Sequence, residues 1–365
     1  MSNFPALRIG ELIARVPIVQ GGMGVGISLS RLASAVANEG GVGVISAAMI
    51  GAAEPDIGSN PLEANIRALK REIHKAKETI KDGLLGVNVM MALTNFADMV
   101  RTSVEEKVDI IFAGAGLPMD LPKYLVDGAK TKLVPIVSSA RATTIIIKRW
   151  LSNFNYLPDA IVVEGPKAGG HLGFKPEQID APEHQLQVIV PEVIAAVRPF
   201  ELESGRKIPV IAGGGIYTGE DIAEFLEMGA AGVQMGTRFV ATDECDADIA
   251  FKQAYIDSCK DDITIIQSPV GLPGRAIRDD FLRQVEEGKK HPINCPFHCL
   301  ITCDPENSPY CIAAALVQAM KGRLNNGFAF CGSNAWRVNA IVPVRELMRS
   351  LKEGFEKAVG KFKPA

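Results

Sequence analysis

Residues 208–239 read IPVIAGGGIYTGEDIAEFLEMGAAGVQMGTRF. The stretch opens on a short apolar run, 208–213 (IPVIAG), and closes on a second, 231–236 (AGVQMG). Neither run alternates with polar residues, the pattern of strands buried on both faces of a parallel sheet. Between them, Thr218 with Asp221 three positions on resembles a capping box, Asp replacing Glu, ahead of Ile222, Phe225 and Leu226. The unit is therefore strand, glycine loop, helix, strand, glycine loop.

The same unit recurs upstream. Further runs lie at 17–21 (PIVQG), 41–46 (GVGVIS), 84–89 (LLGVNV), 108–114 (VDIIFAG), 132–137 (KLVPIV) and 160–165 (AIVVEG). Ser30 is placed to cap a helix carrying Leu32, Ala33, Val36 and Ala37, which Gly40 would end. Leu62, Ile66, Leu69 and Ile73 form an apolar stripe at helical spacing. Eight strands alternating with helices over about 240 residues predict a (β/α)8 TIM barrel rather than a doubly wound sheet. After Phe239 the rhythm breaks. Residues 241–324 read as an inserted, mainly helical, Cys-rich cap with no convincing strand. The barrel then comprises 1–240 plus 325–365, with the cap over the end where such barrels hold their active sites.

Composition excludes several classes. Of 365 residues, 47% are hydrophobic and 22% charged, enough for a core and unlike a disordered chain. A net charge of -3 offers no electrostatic footprint for nucleic acid. No run approaches the roughly 20 apolar residues of a membrane span. The opening residues mix Arg8, Glu11 and Arg15 among apolar ones, unlike a secretory signal. The expectation is a cytoplasmic protein acting on a small molecule.

Two glycine clusters fall after the seventh and eighth runs, at Gly213, Gly214 and Gly215 and at Gly236 followed by Thr237. In barrels these loops often bind phosphate through backbone N–H groups, so a phosphate-bearing ligand is expected. Gln20-Gly21-Gly22-Met23-Gly24 removes side chains at the first strand end, which suits a flat ligand. Asn88 offers a donor and an acceptor at the third. The loop after the sixth run, 164–173, reads EGPKAGGHLG. It holds His171 at the barrel mouth, where an imidazole can act as acid or base. His74, His184 and His291 read as surface residues.

Together these segments, with GLPGRAIRDDF at 271–281, resemble the FMN-dependent nitronate monooxygenases (2-nitropropane dioxygenases). They also resemble the related FabK-type enoyl-acyl-carrier-protein reductases. The likeness spans roughly residues 10–285. It implies FMN, with its phosphate at Gly213, Gly214, Gly215, Gly236 and Thr237. Gly22, Met23 and Asn88 would border the isoalloxazine, Glu164 and Gly170 would complete the cofactor set, and His171 would be the catalytic residue on the substrate side. The implied activity is oxidation of alkyl nitronates or nitroalkanes through the flavin. The alternative is NAD(P)H-dependent reduction of an activated double bond, as in an enoyl thioester, or of a quinone. Gln20-Gly21-Gly22-Met23 is closer to the reductase pattern. A barrel that only binds a phosphorylated ligand is the non-catalytic rival, and fold analogy suits a homodimer.

The seven cysteines are all in the last third, five between Cys295 and Cys331. Cys295, Cys299 and Cys303 are spaced by four and would share one face of a helix. Cys311 follows eight positions later. An extracellular disulfide framework would not be so one-sided. An iron–sulfur cluster or zinc is one reading of these four ligands, and buried thiols packing the cap are the other.

Overall fold

The computed structural model describes residues 4–291, 295 and 297–361. Eight parallel strands close into a barrel: Ile18–Gln20, Val42–Ser46, Leu84–Met90, Ile110–Gly114, Lys132–Val137, Ile161–Glu164, Val210–Gly213 and Gly232–Met235. The last returns to the first through Val233 opposite Ile18 and Met235 opposite Gln20. Each coincides with one of the eight apolar runs, the third reaching one residue past its run to Met90. Val19, Val44, Phe112, Val134, Val162 and Ile211 fill the interior, and Leu7 and Ile9 of a leading hairpin (Leu7–Ile9 with Leu12–Ala14) pack into the same cluster. Gly86 makes room for this packing: a Cβ there would stand 2.7 Å from the Phe112 ring.

Helices follow most strands, with one gap. After the fourth strand only a 3-10 turn forms, Leu121–Tyr124, in a stretch broken by Pro118 and Pro122. The capping box forms as expected, Thr218 accepting from the Asp221 N–H and Asp221 from the Thr218 N–H. Ser30 does not cap. It is the first helical residue, and its hydroxyl donates to Glu72. The cap comes instead from Asp246, whose carboxylate accepts from the N–H groups of Leu29 and Leu32. Leu62 also departs from the apolar stripe, being exposed, whereas Leu69 and Ile73 are buried. The closing helix, Val344–Lys361, packs on Gly219–Glu227 so tightly that a Cβ at Gly219 would lie 2.1 Å from the Leu351 carbonyl oxygen.

Residues 241–324 carry the helices Ile249–Asp257, Asp280–Glu286 and Ile312–Met320, but also a hairpin that the sequence reading missed. Its strands, Ile263–Gln267 and Pro273–Ile277, pair antiparallel, and the second takes on Gly170–His171 as a third strand. Pro269, Gly271, Pro273 and Gly274 interrupt the periodicity by which a strand is read. The described part of 295–303 is also non-helical, so its cysteines do not share a helix face. No described helix is long and apolar enough to cross a membrane.

Candidate active site

The C-terminal strand ends surround a cavity of about 1100 Å³, roofed by the inserted segment. Gly22, Met23, Asn88, Glu164, Gly170, His171, Gly214, Gly215, Gly236 and Thr237 all line it. Gly213 does not. It ends its strand between Glu164 and Gln234 and leaves the contact to the two glycines after it.

At one end, Gly214 and Gly215 both adopt left-handed φ, +103° and +84°. A Cβ on Gly214 would meet the Gly165 carbonyl at 2.9 Å, and one on Gly215 would meet Lys167 at 2.8 Å. These positions accept glycine only. Among the described residues, the N–H groups of Gly214, Gly215, Ile216 and Gly236 donate to no protein acceptor. Such a set of free N–H groups is the donor chemistry a phosphate needs. The guanidinium groups of Arg238 and Arg337 lie over the Tyr217 ring at 4.4 and 4.3 Å, adding positive charge beside it.

A segment that the sequence reading passed over closes this end. Gly332 donates its N–H to Thr237 Oγ1 at 2.9 Å, the Ser333 N–H donates to the Lys167 carbonyl, and Asn334 donates to the Gly215 carbonyl. The only local signal was the turn-prone Gly-Ser-Asn triplet.

At the other end, a Cβ on Gly22 would fall 2.3 Å from Asn88 Cβ, so glycine is what lets Asn88 stand at the mouth. The Asn88 and Gln234 amides line the cavity. Neither amide makes a hydrogen bond to a described side chain or backbone group. The donor set, the glycine floor and the free amides fit a flavin nucleotide.

His171 stands between these ends. Its strand is held by Gly274 opposite it and by the Leu172 N–H to Pro273 carbonyl bond, 2.8 Å. The buried Arg275 guanidinium fixes the preceding loop, donating to the carbonyls of Pro166 at 2.7 Å and Ala168 at 2.6 Å. Imidazole Nε2 lies 2.8 Å from Oγ of the buried Ser268, and Phe330 meets the ring edge-on at 5.0 Å. Burial lowers the His171 pKa to about 4, so the ring is neutral at pH 7. Burial has the opposite sign for half-buried Glu164, whose carboxyl is raised to about 7. Ser268 carried no sequence signal, and Arg275, though inside the GLPGRAIRDDF stretch, gave no sign of its contacts, because their partners lie about a hundred positions away.

Among the described residues, no three His, Cys, Asp or Glu side chains already stand in metal-binding geometry. Cys299 borders the cavity; Cys295, Cys303 and Cys311 do not.

A family model described as nitronate monooxygenase matches residues 8–354. One relative, from Mycobacterium tuberculosis, is (3aS,4S,5R,7aS)-5-hydroxy-7a-methyl-1-oxo-octahydro-1H-indene-4-carboxyl-CoA dehydrogenase. It is 29% identical over 75% of this chain and 66% of its own, so the chain spans just under two thirds of that relative. A probable nitronate monooxygenase of Staphylococcus saprophyticus is 24% identical over 76% of this chain and 80% of its own. Among solved structures, FabK from Thermotoga maritima superposes with a TM-score of 0.70 at 27% identity, covering 94% of both chains. With the match running through barrel, roof and closing helix, the chain belongs to the nitronate monooxygenase family.

Proposed function

We propose that this protein is an FMN-dependent oxidoreductase of the nitronate monooxygenase type, acting on small alkyl nitronates. The observation that carries this reading is the neutral His171, half-buried at the cavity wall and engaged at Nε2 by Ser268. An uncharged imidazole has one N–H donor and one lone pair. With the Ser268 hydroxyl donating to Nε2, the ring N–H sits at Nδ1. That N–H is the donor for a nitronate oxygen. A nitronate arrives with its carbon already deprotonated, so orientation and not a strong base is the requirement. For a neutral nitroalkane the other tautomer would present the Nδ1 lone pair to the α-proton.

The N–H groups of Gly214, Gly215, Ile216 and Gly236 would hold the FMN phosphate, and the amides of Asn88 and Gln234 the ring edge. Bound there, FMN supplies the two-electron acceptor and the route to O2. Phe330 and Leu172 keep bulk water from the His171 side. The test is oxygen uptake with an alkyl nitronate and no nicotinamide. Turnover supports the reading, and its absence from flavin-loaded protein removes it.

A second reading is a reductase drawing hydride from NAD(P)H and reducing an enoyl thioester or a quinone. The cavity favours it on size, because about 1100 Å³ exceeds what a small nitronate fills. The likeness to FabK and the Gly21-Gly22 pair point the same way. In that case the His171 N–H would bind the substrate carbonyl.

A further inference from the structure

We propose that the cavity wall across from His171 seats an extended alkyl tail of the substrate. For the head group the proposal rests on the nitronate reading, so the favoured substrates are long-chain alkyl nitronates. The space that a small nitronate leaves unfilled has a definite chemistry. The charged side chains of the lining, Glu164, Lys167 and Lys175, all come from the end of the sixth strand and the loop after it. None of the described residues that the inserted segment adds to the lining is charged. In the closed barrel the second strand stands four places from the sixth, directly across the mouth. There the lining is Val25 and Ile27 after the first strand, Ala48 and Met49 after the second, and Ala313 and Leu316 of the roof helix Ile312–Met320. None of these six side chains carries an N–H or O–H donor, so what the wall gains on being filled is apolar burial alone.

The backbone is held in an unfavourable form to build this wall. Val25 and Met49 have left-handed φ, +54° and +52°. That conformation is costly for a residue with a Cβ, and most of all for a β-branched one. The Val25 N–H donates to the Ala48 carbonyl at 2.8 Å, which ties the two loops together. The Val25 and Met49 side chains are buried with Ala313 and Val317 in one apolar cluster. Strain of this kind persists only where the surroundings over-determine it, and ligand clamps are one such place.

The roof helix is fixed from behind. A Cβ on Gly327 would fall 1.8 Å from the Ala315 carbonyl oxygen, so the helix has no room to retreat from the cavity. Ala313 and Leu316, three positions apart, share its cavity face. The short Ala313 side chain is what leaves the space open, and a larger one there would fill the seat.

The test is titration of the flavin-loaded full chain with saturated straight-chain carboxylates, propanoate to dodecanoate, read in the flavin absorption band at pH 6, where Glu164 keeps its proton. A carboxylate is planar and anionic with two oxygens on one atom, as a nitronate is, and it is not turned over, so tail binding is read apart from activity. From propanoate to octanoate Kd should fall at least about 100-fold, at about fourfold per methylene, and then level off. A313L should bring octanoate to within about tenfold of propanoate. L316A should move the levelling-off to longer chains, and it gives the reading if A313L misfolds. A Kd independent of chain length overturns the proposal. So does a length dependence that both variants leave as in the wild type, since the tail then lies elsewhere. Loss of flavin from folded A313L also overturns it, since the wall then holds the cofactor. Failure of the nitronate reading looks different: protein that takes up no oxygen with any nitronate, yet binds octanoate at least about 100-fold more tightly than propanoate, keeps the tail seat and loses only the head group.

Discussion

Nε2 of His171 lies 2.8 Å from Oγ of Ser268, a residue on the inserted hairpin loop 97 positions along the chain. The imidazole belongs to the barrel and its partner to the roof, so the roof positions the group at the barrel mouth. His171→Ala should keep bound flavin and lose at least about 100-fold in turnover, the scale of a positioned acid–base group. Ser268→Ala should lose about tenfold. The double variant should be no slower than His171→Ala, because the two act as a unit. Steady-state kinetics on the three variants checks this. Multiplying losses would mean that Ser268 acts independently.

The pH dependence follows from two opposed shifts. With a His171 pKa of about 4, the neutral ring is present from about pH 5 upward, so kcat/KM should show no limb near 6.5. Glu164, at about 7, becomes a carboxylate above neutrality and repels an anionic nitronate. Activity should fall as pH rises past 7, and Glu164→Gln should remove that limb. A pH profile of kcat/KM for the wild type and this variant decides it.

The same carboxyl carries a stability consequence. Its folded pKa is raised from 4.5, so its contribution is present in full below pH 4.5 and lost as pH rises through 7. In flavin-free protein at pH 8, Glu164→Gln should be more stable than wild type, by up to the order of 3 kcal/mol. At pH 4 the two should match. Urea unfolding at both values reads the difference.

Arg275 is buried with its guanidinium on the carbonyls of Pro166 and Ala168. Arg275→Met leaves both acceptors unpaired and should cost about 3 kcal/mol of stability. It should also weaken flavin retention through the loop that carries Lys167 and His171. Denaturant unfolding with flavin fluorescence follows both effects. Unchanged values would mean that the loop holds itself.

Gly214→Asp puts a side chain where φ is +103° and a carboxylate beside the free N–H groups. It should release FMN, raising Kd at least tenfold. Gly22→Ala should act at the opposite end, by displacing Asn88, and weaken the flavin less. Fluorescence titration of flavin-stripped variants separates the two.

The eight strands were legible in the sequence because strands buried on both faces carry uninterrupted apolar runs, and the two glycine loops because they fall at fixed places after such runs. What was not legible depends on distant partners. Asp246, and not Ser30, caps the first barrel helix, from over 200 positions away. The hairpin at 263–277 is broken by proline and glycine and has one half-exposed strand, so it lacks a clean period. His171 was legible by its position, but neither Ser268 nor the closing Gly332–Asn334 turn was, since each acquires its role only when the chain returns to the barrel mouth.

Anaerobic stopped-flow mixing of the flavin-loaded protein with an alkyl nitronate, followed in the flavin absorption band, tests the central claim most directly. The account predicts rapid bleaching by the nitronate without any nicotinamide, and at least 100-fold slower bleaching in His171→Ala. Bleaching by NADH or NADPH, with none by the nitronate, would contradict it and establish the reductase.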